Sequence, residues 1–203
     1  MKGNESRTGE RDGSMSGNGG NAALRAGRSI LEFVLIIVVA FVLVFLIRTF
    51  VCQTFEIPSS SMEDTIEISD RVLSEKITYY VSDVQRGDIV TFTDPTDSSR
   101  TLIKRVIATG GQSVELIDGS VYVDGSKLDE PYTEGKQSLP LSPTYQGKDI
   151  SYPYTVPDGY IWVMGDNRTN SADSRYFGAV PASSVSGKAF FRYWPFETFG
   201  FLN

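Results

Sequence analysis

Apolar residues run unbroken from Phe33 to Ile47, a stretch of 15 residues with no equal elsewhere in the chain. Adding Ile30, Leu31, Phe50 and Val51 gives about 20 residues, enough to cross roughly 30 Å of hydrocarbon with Glu32 and Arg48 near the two interfaces. Ser29 to Cys52 therefore predicts a retained membrane-spanning helix, too apolar all round for a half-exposed one and followed by no small-x-small cleavage site. Met1 to Arg28, rich in Gly, Ser and Asn, predicts a disordered tail. Arg25 and Arg28 immediately precede the span, with Lys2, Arg7 and Arg11 further back. The positive-inside rule then places the tail, residues 1–28, in the cytoplasm and everything after Cys52 outside.

Beyond the span the pattern shortens. Arg71 to Leu73, Asp88 to Phe92, Leu102 to Ala108, Ser113 to Ile117, Val121 to Val123, Tyr160 to Met164 and Val185 to Tyr193 are short runs rich in β-branched or aromatic residues, separated by turn signals. Asp118-Gly119 is a hairpin signal, and Asp124-Gly125 closes the next run. Tyr132 to Pro157 has no clear period and reads as a long loop or small subdomain, part of an insertion over about 119–158. Residues 53–203 are expected to form one mainly β domain with no long helix.

Composition narrows the chemistry. The chain has 203 residues, 40% hydrophobic and 22% charged, which suits one globular domain with an appendage. A lone Cys52 excludes an internal disulfide and a cysteine metal cluster. The first 28 residues carry a net charge of +2, leaving −8 for the remainder, and an acidic domain argues against nucleic acid as a partner. The chain contains no histidine, so a nucleophilic serine must find another base. Ser59-Ser60-Ser61-Met62 lies just beyond the span, and Lys104, in the run Thr101 to Ile107, is the strongest candidate base, because an amine that loses its proton can do the work of imidazole. Lowering a lysine pKa from about 10.4 by roughly two to three units costs on the order of 3 to 4 kcal/mol, which desolvation must supply. Strand alternation puts Leu102, Lys104 and Val106 on one face and Ile103, Arg105 and Ile107 on the other; either face is apolar enough to be the buried one.

Several blocks together resemble the bacterial type I signal peptidases of the short, single-span kind, over residues 30 to 185 approximately. They are Ile57-Pro58-Ser59-Ser60-Ser61-Met62, Arg86-Gly87-Asp88-Ile89-Val90, Ile103-Lys104-Arg105-Val106-Ile107, and the longest, Met164 to Gly178, followed by Val180-Pro181. Each block alone has a plainer reading, as a linker, a strand edge, a turn or a surface ion pair. Their order behind an N-terminal anchor makes the set specific. The resemblance implies antiparallel sheets of the Ser-Lys signal peptidase fold with a small insertion, preceded by one transmembrane helix. It further implies Ser61 as nucleophile and Lys104 as general base, with the backbone N–H of Ser61 and the hydroxyl of Ser59 as oxyanion donors. Ser171 matches the residue that orients the lysine amine, and Arg105, Asp166, Asp173 and Arg175 match supporting residues. The chain departs from the family pattern after Met62, where x-Pro-Thr-Leu is usual and Glu63-Asp64-Thr65-Ile66 stands here.

The activity so implied is removal of signal peptides from exported precursor proteins by cutting after small residues, the substrate lying extended beside a strand. Phe55, Ile57, Met62, Ile66, Val72 and Ile103 are the expected lining of shallow apolar pockets. Phe50, Phe55 and Trp194-Pro195-Phe196 are candidates for contact with the lipid bilayer, and the secretion translocon is a further candidate partner. No metal or organic cofactor is implied. The alternative from another class is a non-catalytic anchored protein that binds precursors, against which the presence of both Ser61 and Lys104 argues. A self-cleaving regulator would need a DNA-binding segment where the span stands, and a Ser-His peptidase is excluded as a self-contained site.

Overall fold

The computed structural model describes residues 19–141 and 150–202. Helix α1 spans Gly19–Leu46 and continues into a π-helical turn, Ile47–Val51. It begins inside the segment expected to be disordered, because Asn21-Ala22-Ala23-Leu24-Arg25-Ala26 contains good helix formers next to the apolar run. Residues 1–18 of the expected tail lie outside the described residues. Leu31–Val51 is a stretch of 21 residues, long and apolar enough to cross a membrane. The helical segment ends at Val51, one residue short of expectation, because Cys52 turns extended, with φ −148° and ψ 152°.

Among the described residues twelve strands follow, all paired antiparallel. β1 (Cys52–Glu56), β2 (Arg71–Glu75), β3 (Ile89–Thr93), β4 (Thr101–Thr109), β9 (Tyr160–Met164), β10 (Val180–Pro181), β11 (Val185–Trp194) and β12 (Gly200–Phe201) form the larger sheet. Its order is β1-β2-β11-β3-β4-β9-β10, with β12 also on β11. β5 (Ser113–Ile117), β6 (Ser120–Val123), β7 (Ser126–Lys127) and β8 (Tyr154–Thr155) make the smaller sheet, ordered β7-β6-β5-β8. Among the described residues two short α-helices follow the span, α2 (Thr78–Val81) and α3 (Ser174–Phe177).

All seven runs expected to be strands are strands, five of them shifted by a residue or two at an end. β1 was not foreseen, since only Phe55 among its central residues is apolar and no alternation announces it. The Asp118-Gly119 hairpin signal is met: both residues take positive φ, 49° and 76°, as a tight turn between twisted strands requires. The unpatterned stretch Tyr132 to Pro157 contributes β8 and a short turn at Pro131–Thr133; residues 142–149 lie outside the described residues.

The question of which face of β4 is buried has a simple answer: both are. Ile103 through Ala108 are all buried, because β4 lies between β3 and β9 and adjacent residues enter different clusters. Ile89 and Ile103 pack with Ile57, Met62, Ile66, Val72 and Ala189. Val90 and Val106 pack with Phe92, Ile161, Val163, Phe177 and Val180. A further cluster joins the two sheets, bringing Ile107, Ala108, Trp162 and Met164 against Val114, Val121 and Val123. Trp162, fully buried, is the largest side chain there, with Tyr154 at 4.6 Å and Tyr152 edge-on at 6.1 Å between ring centroids. Trp162→Ala is expected to destabilise the domain by about 3 to 5 kcal/mol through the cavity it leaves, read as a lowered urea midpoint by circular dichroism.

Candidate active site

The connection between β1 and β2 carries the serines. Ile57 and Asp70 close it with backbone hydrogen bonds, Ile57 N to Asp70 O at 2.9 Å and Ser69 N to Ile57 O at 2.8 Å. Within it Ser60–Met62 forms a tight helical turn. Met62, with no exposed surface, plugs the turn into the apolar cluster beneath and so turns its neighbour Ser61 toward β4. Ser61 is itself buried.

Lys104 Nζ lies 2.6 Å from Ser61 Oγ and 2.8 Å from the carbonyl oxygen of Ile103. Burial pushes its pKa down from 10.5 to about 8, against the opposing pull of Asp173, Asp166 and Asp94. A displacement of that size is worth about 3 kcal/mol, the scale demanded of a lysine that is to act as a base near neutral pH. When the amine is charged it donates to Ser61 Oγ. When it is neutral the contact reverses, the hydroxyl donating to the amine lone pair.

Around this pair stand buried charges, each satisfied by a partner. Arg105 donates to both carboxylate oxygens of Asp166, Nε at 2.9 Å and Nη2 at 2.7 Å, and to Gly87 O at 3.2 Å. Asp166 also accepts from Thr65 Oγ1 at 2.6 Å, tying the loop that carries Ser61 to the β9–α3 connection. Asp173 and Arg175 form a fully buried, two-pronged pair at 2.9 Å in each prong. Burial alone would raise the Asp173 carboxyl, but the bonds and charge of Arg175 and the Gly165 N–H at 3.0 Å together hold it below the usual carboxylate range. Asp173 doubles as the cap of α3 by accepting from Arg175 N.

The sequence-predicted residues thus fall into distinct groups. Ser61, Lys104, Arg105, Asp166, Asp173 and Arg175 converge in one buried network. Ser59 is exposed, its Oγ 3.5 Å from Ser61 Oγ, at the outer limit of a hydrogen bond. Ser171 lies close by but departs from expectation. Its hydroxyl makes no hydrogen bond to the lysine amine, whose contacts go to Ser61 and Ile103 instead.

The proposed pocket lining also needs correction. Met62, Ile66 and Val72 have no exposed surface and Ile57 only 2%, so these residues are core that supports the turn, because the loop folds its apolar side chains inward. Phe55 remains partly exposed, and Ile103 sits at the edge of burial.

Several residues at the site gave no sequence signal as individuals. Asn167 donates through Nδ2 to Ser60 O and Glu63 Oε2, both at 3.0 Å, and through its backbone N–H to Ser61 O at 3.2 Å. Asn170 Nδ2 donates to Ser60 Oγ at 2.8 Å. Gly165 is the tightest fit: a Cβ there would meet Ser61 O and Ser171 Oγ, each at 2.3 Å. Only a residue without a side chain lets the two segments close on each other.

The comparisons with known proteins bear on this arrangement. The family model described as signal peptidase, peptidase S26, matches residues 30–194. A probable signal peptidase I-2 of Synechocystis sp. is 43% identical over 178 residues, covering 85% of this chain and 77% of the relative. Signal peptidase IB of Staphylococcus aureus is 35% identical over 180 residues, covering 85% and 93%. A solved signal peptidase I from Enterococcus faecalis V583 aligns at 33% identity and a TM-score of 0.43, over 53% of this chain and 97% of its own.

Gly165→Ala is expected to cost about 1 to 3 kcal/mol of stability, as overpacking does. Thermal unfolding beside a Gly159→Ala control, where a Cβ meets nothing within 4 Å but φ is +76°, separates steric crowding from backbone strain.

Proposed function

The chain belongs to the signal peptidase family, peptidase S26, and from that premise we propose that Ser61 and Lys104 are the catalytic dyad with which it removes signal peptides from exported precursors. The observation that carries the assignment is the 2.6 Å approach of the Lys104 amine to the Ser61 hydroxyl inside a buried site. With the amine neutral, Ser61 Oγ attacks the scissile carbonyl carbon and passes its proton to Nζ. The oxyanion that forms takes hydrogen bonds from the Ser61 N–H and the Ser59 hydroxyl. The C–N bond then breaks, and the ammonium returns the proton to the departing amine. A water molecule attacks the acyl-serine ester in the same fashion, giving up its proton to Lys104 as the attack begins. Breakdown of that second intermediate returns the proton to Ser61 Oγ and frees the carboxylate end of the signal peptide.

The remaining assignments follow from position. Arg105, Asp166, Asp173 and Arg175 hold the dyad through charge and hydrogen bonds, and Ser171 packs against the Gly165 backbone beside it. Among the described residues β1 pairs with β2 alone and leads into Pro58-Ser59, so its other edge suits a substrate laid alongside as an added strand. Phe55 and Ile103 are the residues of the expected lining left to meet small substrate side chains. The protein is anchored by α1. Arg25 and Arg28 at its start favour a cytoplasmic N-terminus, with residues 53–203 on the outer side of the cell membrane. The exposed Phe50, Trp194 and Phe196 suit contact with the bilayer surface, and the translocon suits delivery of the precursor.

Detergent-solubilised protein incubated with a labelled precursor is expected to cut it, while Ser61→Ala and Lys104→Met, folded by circular dichroism, do not. Equal processing by all three would end this reading. Because a protonated amine cannot accept the serine proton, the rate should climb about tenfold per pH unit below the lysine pKa and level above it. The bend is expected near the Lys104 value of about 8; a flat profile between about pH 6 and pH 10 counts against a lysine base.

A further inference from the structure

The segment that leaves β7 of the smaller sheet reaches back to the catalytic loops at separate points. Glu130 takes a two-pronged bond from Arg168, at 2.7 and 2.9 Å, and Arg168 in turn donates to Gly165 O at 2.9 Å and Ser138 Oγ at 2.6 Å. The ring of Tyr132 lies 3.9 Å beneath the Arg105 guanidinium, and Tyr132 Oη donates to Glu130 at 2.9 Å. Lys136 forms an ion pair with Asp64, in the turn that carries Ser61. The segment is itself firmly seated, with Thr133 buried against Glu130 O and Ser138 N bonded to Gly119 O at 2.8 Å.

Asp64 is the unusual partner. Its φ is +82°, a left-handed conformation that proline cannot take and most side chains avoid. Its backbone N–H makes a long bond, 3.3 Å, to Glu67 Oε1. The Lys136 pair, with the two side chains 28% and 21% exposed, is the contact that reaches the carboxylate from outside the loop. Asp64 lies between Glu63, which accepts from Asn167, and Thr65, which donates to Asp166. The Lys136 pair therefore adds a restraint from the smaller sheet's segment to a loop that Asn167 and Asp166 hold on either side of Asp64.

We propose that Lys136 is a positioning residue of the catalytic loop, its ammonium holding Asp64, and through it Ser61, from the smaller sheet. The proposal rests on Ser61 being the nucleophile. It gives the insertion a part in catalysis without any contact with the reacting atoms.

Kinetics of the full-length, detergent-solubilised protein on a labelled precursor test it with Lys136→Met, Asp64→Asn, the double variant and Lys136→Arg. Each of the first two is expected to lower kcat about two- to fivefold with KM unchanged, the range of a partly exposed ion pair. The double variant should be no slower than the worse single one, as for two residues acting as a unit. Lys136→Arg should recover most of the rate. Wild-type kcat should fall toward the variants' values as salt is raised to about 1 M, where screening reaches about 3 Å, while the Lys136→Met rate stays level. Wild-type kcat in Lys136→Met, multiplying losses in the double variant, or a loss wholly explained by fewer active sites on titration with a serine-acylating inhibitor would each overturn the proposal. Ser61→Ala measured alongside keeps the two questions apart: cutting by that variant removes the nucleophile assignment, whereas its silence with a wild-type Lys136→Met removes only the role of Lys136.

Discussion

An amine beside a hydroxyl is chemically idle while it keeps its third proton, and the fold around Lys104 is arranged to make keeping it costly. The residue sits on a strand buried on both faces, so water cannot solvate the ammonium. Dryness alone is a fragile device, however, because carboxylates nearby invite the proton back. Asp173, Asp166 and Asp94 do pull in that direction. Their pull stays the smaller effect because Asp166 and Asp173 are each gripped two-pronged by an arginine, and an anion so satisfied attracts a further cation weakly. The buried ion pairs are thus part of the same electrostatic arrangement as the low lysine pKa.

The pairs also explain why loops far apart in sequence hold one geometry. Breaking a buried pair by removing one partner strands a charge at a cost of about 3 to 5 kcal/mol, so the network resists partial disassembly. Arg105–Asp166–Thr65 binds β4, the β9–α3 connection and the Ser61 loop to one another. Arg192 adds a tie from β11, donating to Thr65 O at 3.1 Å and Asp70 Oδ2 at 2.9 Å. Gly165 brings the Ser61 and Ser171 segments together by the absence of a side chain, a complementary means to the same end.

Much of this was legible in the sequence, and the reasons differ from element to element. The span announced itself by length and apolarity, and the strands by short β-branched runs between turns. The absence of histidine pointed to Lys104 before any family likeness did. What escaped reading was set by neighbours distant along the chain. β1 owes its existence to pairing with β2, and its own residues carry no alternation. Met62, Ile66 and Val72 are as apolar as pocket walls should be, but whether an apolar side chain faces substrate or core depends on how the loop closes. The contacts of Asn167 join two distant loops of the larger sheet, and those of Glu130 and Lys136 join the smaller sheet's segment to the larger one, for which local pattern gives no sign. Ser171 was placed near the lysine by likeness, yet the hydrogen bonds of the amine run elsewhere.

The strand order has a bearing on biosynthesis. β2, beside the turn that carries Ser61, and β3, which pairs with the Lys104 strand, are not neighbours; β11 lies between them and pairs with both. A chain emerging from the ribosome therefore makes the strand pairs on either side of β11 long before it makes β11 itself. Pairing across so great a sequence separation is slow, and until it happens Ser61 and Lys104 ride on separate hairpins. The buried contact between them is thus secured only by the last long strand of the fold.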